Sequence, residues 1–115
     1  MRKLSFAIIL FSTALFFQYC SSSKKAAAAM PAAVTFQTDV MPVIQSTCAP
    51  CHIEGKGNKK PLDNYASASS VADDMILRVQ KNPGDRGFMP FKHDKLSDSA
   101  ILVFVNWKKD GLKEK

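Results

Sequence analysis

Apolar positions along this chain fall into one uncharged run followed by three stretches with helical spacing. The run covers residues 4–17 and follows the basic triplet Met1-Arg2-Lys3. Phe36, Val40, Val43 and Ile44 then recur on one helical face, which predicts a helix over residues 35–48. Pro42 lies inside it and lacks the N–H that would bond the carbonyl of Thr38, so a kink is expected there, or a helix that begins only at Pro42. Ala72, Met75, Ile76 and Val79 form a second apolar face, predicting a helix over residues 71–80 with Ser70 as N-cap, Asp73 in its first turn and Asn82-Pro83-Gly84 as its stop. Ile101-Leu102-Val103-Phe104-Val105 would suit a buried strand by propensity. The punctuation favours a helix: Ser97 as cap, Asp98 in the first turn, Lys108 and Lys109 in the last, and Gly111 after the end. The Gly- and Pro-bearing stretches 54–61 and 84–96 read as loops. The expected class is all-α, with three main helices and long loops.

The 115 residues allow one small domain. The basic triplet and the apolar run have the form of an export signal, and the run is shorter than the ~20 residues of a typical membrane span. Cys20 stands where a bacterial lipoprotein signal places its acylated cysteine. The segment resembles a lipobox with Leu15 upstream, although Tyr19 replaces the usual small residue. An uncleaved anchor, or cleavage within residues 26–33, would be the other outcomes. The expected layout is a signal peptide over 1–19, a lipid-anchored cysteine and flexible linker over 20–33, and the domain over 34–115. The expected location is the periplasmic face of a bacterial membrane.

The net charge of +6 overstates the basicity of that domain. Of sixteen basic and ten acidic residues, Arg2, Lys3, Lys24 and Lys25 precede residue 34, which leaves twelve against ten, or +2. Nucleic-acid binding therefore has no electrostatic footprint here. A fold of this size has a marginal core by itself, and the apo-protein is expected to fold poorly.

The chemistry concentrates in Cys48-Ala49-Pro50-Cys51-His52. A C-x-x-C-H string is a c-type haem attachment site. Two thiols at this spacing can each add to a vinyl group on one porphyrin edge, and the adjacent His52 becomes an axial ligand of the iron. A redox dithiol would need a βαβ context, and a structural zinc site needs four ligands. Outside the cluster the chain offers only His93 and Cys20 as further histidine or cysteine ligands.

Three further strings, in order, complete a pattern: Asp39-Val40-Met41-Pro42 before the haem motif, then Met89-Pro90, then Trp107-Lys108-Lys109-Asp110-Gly111. Over residues 34–113 the chain resembles the class I cytochromes c. The resemblance implies a small cytochrome c fold with Met89 as the second axial ligand. A thioether is soft and neutral, so His/Met ligation raises the reduction potential. Phe88 and Phe91 would shield that face of the haem from water. The resemblance also implies that the Pro61 carbonyl accepts the Nδ1–H of His52. Trp107 would reach a haem propionate through its indole N–H, or simply pack between the first and last helices. His93 shares the loop of Met89 and is the competing ligand, with bis-His coordination and a lower potential; Met41 and Met75 fit core packing.

A six-coordinate His52/Met89 haem has no open position for substrate. The expected function is therefore single-electron transfer between membrane-associated redox proteins, by a monomer that is not an enzyme and docks transiently. If Met89 were off the iron, a ligand sensor or a peroxidase-like enzyme would be the alternative. A tethered redox subunit of a larger dehydrogenase or oxidase would share the same chemistry.

Overall fold

The computed structural model describes residues 32–115. The expected signal peptide, Cys20 and the linker up to residue 31 lie outside the described residues. Every regular element among the described residues is helical, and none is long and apolar enough to cross a membrane.

Pro42 shapes the first element. Thr35 caps it: its hydroxyl accepts from the Thr38 N–H at 3.4 Å, while Asp39 accepts the Thr35 N–H at 2.8 Å. The chain then makes a π-helical turn, Phe36–Val40, before α1, Met41–Thr47. The N–H groups of Val40 and Met41 reach back five residues, to Thr35 and Phe36. Pro42 thus falls in the first turn of α1, where its missing N–H costs nothing. The expected kinked helix is in fact a wide turn feeding an α-helix that starts at Met41. Phe36, Val40 and Ile44 are buried as the spacing requires.

The second element was not foreseen. Asn64 accepts the Ser67 N–H at 2.9 Å and caps α2, Tyr65–Ser70. Val71 interrupts the chain, and α3 follows as Ala72–Gln80. Ser70 is therefore the last residue of α2 and not the N-cap of α3, whose first residue is preceded by Val71 without any side-chain cap. The Ser70 hydroxyl instead donates to the Ser67 carbonyl at 2.8 Å. The apolar face of α3 lies as expected, with Ala72, Met75 and Val79 buried.

The last helix, α4, runs Asp98–Lys109 and resolves the strand–helix ambiguity in favour of its caps. Ser97 accepts the Ala100 N–H at 3.2 Å. At the other end the Gly111 N–H bonds the Lys108 carbonyl and the Leu112 N–H bonds that of Trp107. That pair of bonds is a Schellman ending, which needs the left-handed φ of +89° found at Gly111.

The two ends of the described chain meet. The N–H groups of Phe36 and Gln37, left over at the start of the first element, donate to the carbonyls of Lys113 and Glu114 at 2.8 and 3.1 Å. The Tyr65 hydroxyl donates to the Leu112 carbonyl at 2.9 Å. The Phe36, Tyr65 and Trp107 rings stack at tilted and edge-on angles with centroids 5.7–6.4 Å apart. They fasten the first element, α2 and α4 together. Around them the core is wholly apolar, and no polar or charged residue is buried among the described residues.

Candidate functional site

Apart from this packed end the chain forms a half-open cavity of about 300 Å³. Its wall comes from four pieces: the end of α1 with the C-x-x-C-H turn, the loop 59–62, the inner face of α3, and the loop 89–93. Cys48, Cys51, His52 and Met89 all line it, so residues far apart in sequence share one space. His93 lines it as well, as do Phe91 and the buried Met75.

The turn after α1 sets the motif. The Cys48 N–H closes the helix onto the Ile44 carbonyl at 2.9 Å, and the His52 N–H bonds the Cys48 carbonyl at 3.1 Å. One helical turn therefore separates Cys48 from His52. Both motif cysteines are free thiols; Cys48 is half-buried and Cys51 exposed. Burial pushes the Cys48 thiol up from its ordinary pKa, against a smaller opposing effect from the Thr47 hydroxyl, whose oxygen lies 3.6 Å from Sγ.

The imidazole of His52 is oriented by a backbone carbonyl. Its Nδ1 lies 2.8 Å from the carbonyl oxygen of Lys60. A carbonyl can only accept, so Nδ1 carries a proton, and in the neutral ring the lone pair is then on Nε2. The acceptor is Lys60 and not Pro61, one residue earlier than expected. The register follows from the backbone: the Leu62 N–H bonds the His52 carbonyl at 2.8 Å, and this leaves the peptide oxygen ahead of Pro61 facing the ring. The Lys60 ammonium in turn donates to the Ser70 hydroxyl at 3.0 Å, tying this strand of loop to the end of α2.

Gly57 holds the other side of the motif. A Cβ placed there would lie 2.1 Å from the Cys51 carbonyl oxygen and 2.5 Å from that of Pro50. Only a residue without a side chain lets the loop come this close. Sequence reading marked Gly57 as a loop residue and missed this contact, because nothing local signals an approach to the preceding turn.

Met89 is positioned from α3. Its N–H donates to the Arg78 carbonyl at 3.2 Å, near the end of that helix. Upstream, the Lys81 ammonium donates to the Arg86 carbonyl at 2.7 Å, and Asp85 accepts the Asn82 N–H at 2.9 Å. The thioether-bearing residue is thus held by a braced turn.

Two other expected site residues lie elsewhere. Trp107 is fully buried in the aromatic cluster and donates its indole N–H to the Lys113 carbonyl at 2.8 Å. Its donor is consumed by the chain, so it serves packing and the C-terminal tie, not a propionate. Phe88 is buried but is not part of the cavity wall, whereas Phe91 lines the cavity and is 67% exposed. Of the two phenylalanines expected at the site, only Phe91 borders the cavity.

The donor set suits a haem better than a bare ion. Among the described residues no three His, Cys, Asp or Glu side chains converge as a metal site. A haem iron needs only two protein ligands, and the cavity supplies an imidazole with a free Nε2, a thioether, and two free thiols on one side of a largely apolar space. Comparison of the chain with family models, curated proteins and solved structures finds no match.

Proposed function

We propose that this chain is an exported, lipid-anchored carrier of single electrons, a cytochrome c of the class I type, with one covalent haem held by Cys48, Cys51, His52 and Met89. The observation that carries the reading is the common cavity. It brings the attachment motif and Met89, 37 residues beyond His52, to one apolar space, with the His52 tautomer already set for ligation.

A haem bound there would supply a reversible one-electron change at iron. The chain's own residues do the rest. The Cys48 and Cys51 thiols hold the group against loss. His52 is kept in orientation by the Lys60 carbonyl. Met89 offers a neutral sulfur that favours the reduced centre. Leu62, Val79 and Met75 keep water from the interior of the cavity, which favours the less charged state further. With His52 and Met89 both holding the group, no place would remain for substrate, and the exposed rim by Cys51 would be the route for electrons. Partner proteins dock there weakly and briefly. Cys20 as lipid anchor, with the linker behind it, would hold the domain within reach of membrane-bound donors and acceptors.

The test is spectroscopy of the full-length protein exported with haem maturation. A c-type pyridine haemochrome, together with a far-red ferric band lost in Met89→Ala, is the expected result. Protein without covalent haem would end the proposal. Labelling with a fatty acid that disappears in Cys20→Ala tests the anchor.

A further inference from the structure

We infer that His93 is a second axial-ligand position for the same iron, taken up when the Met89 sulfur is absent; the inference rests on the haem reading above. The loop 89–93 presents Met89, Phe91 and His93 to one cavity, while Lys92 stays outside its wall. Lys92 has a left-handed φ of 63°, and its ammonium sits 5.4 Å from the centroid of the Phe91 ring. That reversal lets Phe91 and His93 face the same side. The His93 N–H closes the turn on the Pro90 carbonyl at 3.2 Å.

The two ends of this loop are held differently. Met89 is pinned through its backbone to α3. Beyond Pro90, the turn bond of His93 and the contact of the Lys95 ammonium with Asn82 at 3.2 Å are the hydrogen bonds that hold residues 91–95. Among the described residues no side-chain hydrogen bond engages the His93 imidazole, which is exposed on its outer side. A left-handed lysine is strained relative to ordinary backbone, and a shift of the loop would release that strain. The cavity holds one other thioether, Met75, but that residue is buried on α3 within the core and cannot advance without breaking it. His93 is therefore the donor that is both present and free to move. Its imidazole suits iron and would keep the centre six-coordinate at a lower potential. The device would preserve electron transfer, and exclude small ligands, in protein whose methionine has been lost to damage.

The experiment compares ferric Met89→Ala with Met89→Ala/His93→Ala, both in the matured, full-length protein. The single variant is expected to be low-spin without the far-red band, and the double variant high-spin. Added cyanide should bind the single variant about tenfold or more weakly than the double, since His93 must first leave. A high-spin single variant, or a low-spin one unchanged by His93→Ala, would overturn the inference while leaving the haem reading intact. Wild-type protein without covalent haem would overturn both. Met89→Leu, which keeps the side-chain volume, replaces Met89→Ala where the latter does not accumulate.

Discussion

The end of the molecule where the chain termini meet and the wall of the cavity are built on opposite plans. Among the described residues the largest fully buried side chains are Trp107, Phe36, Phe104, Ile44 and Val40; at the terminal end the spare backbone N–H groups of Phe36 and Gln37 find the carbonyls of Lys113 and Glu114, and the Tyr65 hydroxyl that of Leu112. Along the cavity wall Cys51, Lys59, Lys60, Phe91 and His93 are exposed; loop 59–62 is tied to the motif by several hydrogen bonds, and residues 91–93 are held by the turn bond of His93 to Pro90. The difference teaches where the chain's own apolar surface is spent. One half packs against itself. The other surrounds a half-open, largely apolar cavity of about 300 Å³. Variants at the two ends should therefore fail in different ways.

The largest effect is expected from Trp107→Ala. It removes the centre of the aromatic cluster and strands its neighbours, a loss of about 3–5 kcal/mol. For so small a domain that is much of the total stability. Thermal melting by circular dichroism should show no cooperative transition, with or without haem. If the variant melted like the wild type, the terminal end would not be the scaffold argued for here.

Deleting residues 113–115 tests the same end through hydrogen bonds. The Phe36 N–H and the Trp107 indole N–H would both lose their acceptors. At about 1–3 kcal/mol per stranded buried donor, the expected loss for the two is about 2–6 kcal/mol, since the exposed Gln37 N–H can turn to water. Denaturant titration would read it as a lower midpoint with an unchanged slope.

Gly57→Ala moves the test to the loop behind the Cys48–His52 turn. The new methyl cannot fit against the Cys51 carbonyl without displacing backbone. A cost of about 1–3 kcal/mol is expected. Its distribution is more telling than its size: the secondary structure of α4 should persist, while the yield of covalent haem falls. Equal loss at both ends would erase the distinction between them.

The two ends also differ in how far the sequence discloses them. The terminal scaffold is legible because its signals are periodic or local. Phe36, Val40 and Ile44 share a face, Ile101, Phe104 and Trp107 another, and Ser97 and Gly111 bracket α4. The errors come where a local signal met a tertiary one. Ser70 looked like a cap because a hydroxyl preceded an apolar face, yet Asn64 had already started α2 and the serine closed it. Tyr65–Ser70 is short and poor in apolar residues, so it has no periodicity to reveal it. At the site, residue types were legible and their partners were not. Cys48, Cys51, His52 and Met89 could be named from spacing and resemblance. That Lys60 supplies the carbonyl, that Gly57 backs the motif, and that Trp107 gives its N–H to Lys113 depend on how distant backbone is brought together.

The smallest predicted effect concerns rates. In haem-free protein, thiolate is the reactive form of each motif cysteine. Burial raises the Cys48 pKa, so at any pH below that value the thiolate fraction is smaller than in an unfolded chain. Iodoacetamide should therefore label exposed Cys51 before half-buried Cys48, with peptide mass spectrometry reading the order. The sign of the linked stability follows. Above the unfolded thiol's pKa the unfolded chain has lost its proton while folded Cys48 still holds one, so the stability of the haem-free domain falls as pH rises through that window. Full denaturation should bring the two labelling rates together. If Cys48 reacted first in the folded, haem-free protein, the wall at the end of α1 would be more open than its packing against the core implies, and the contrast between the two ends would have to be redrawn at that point.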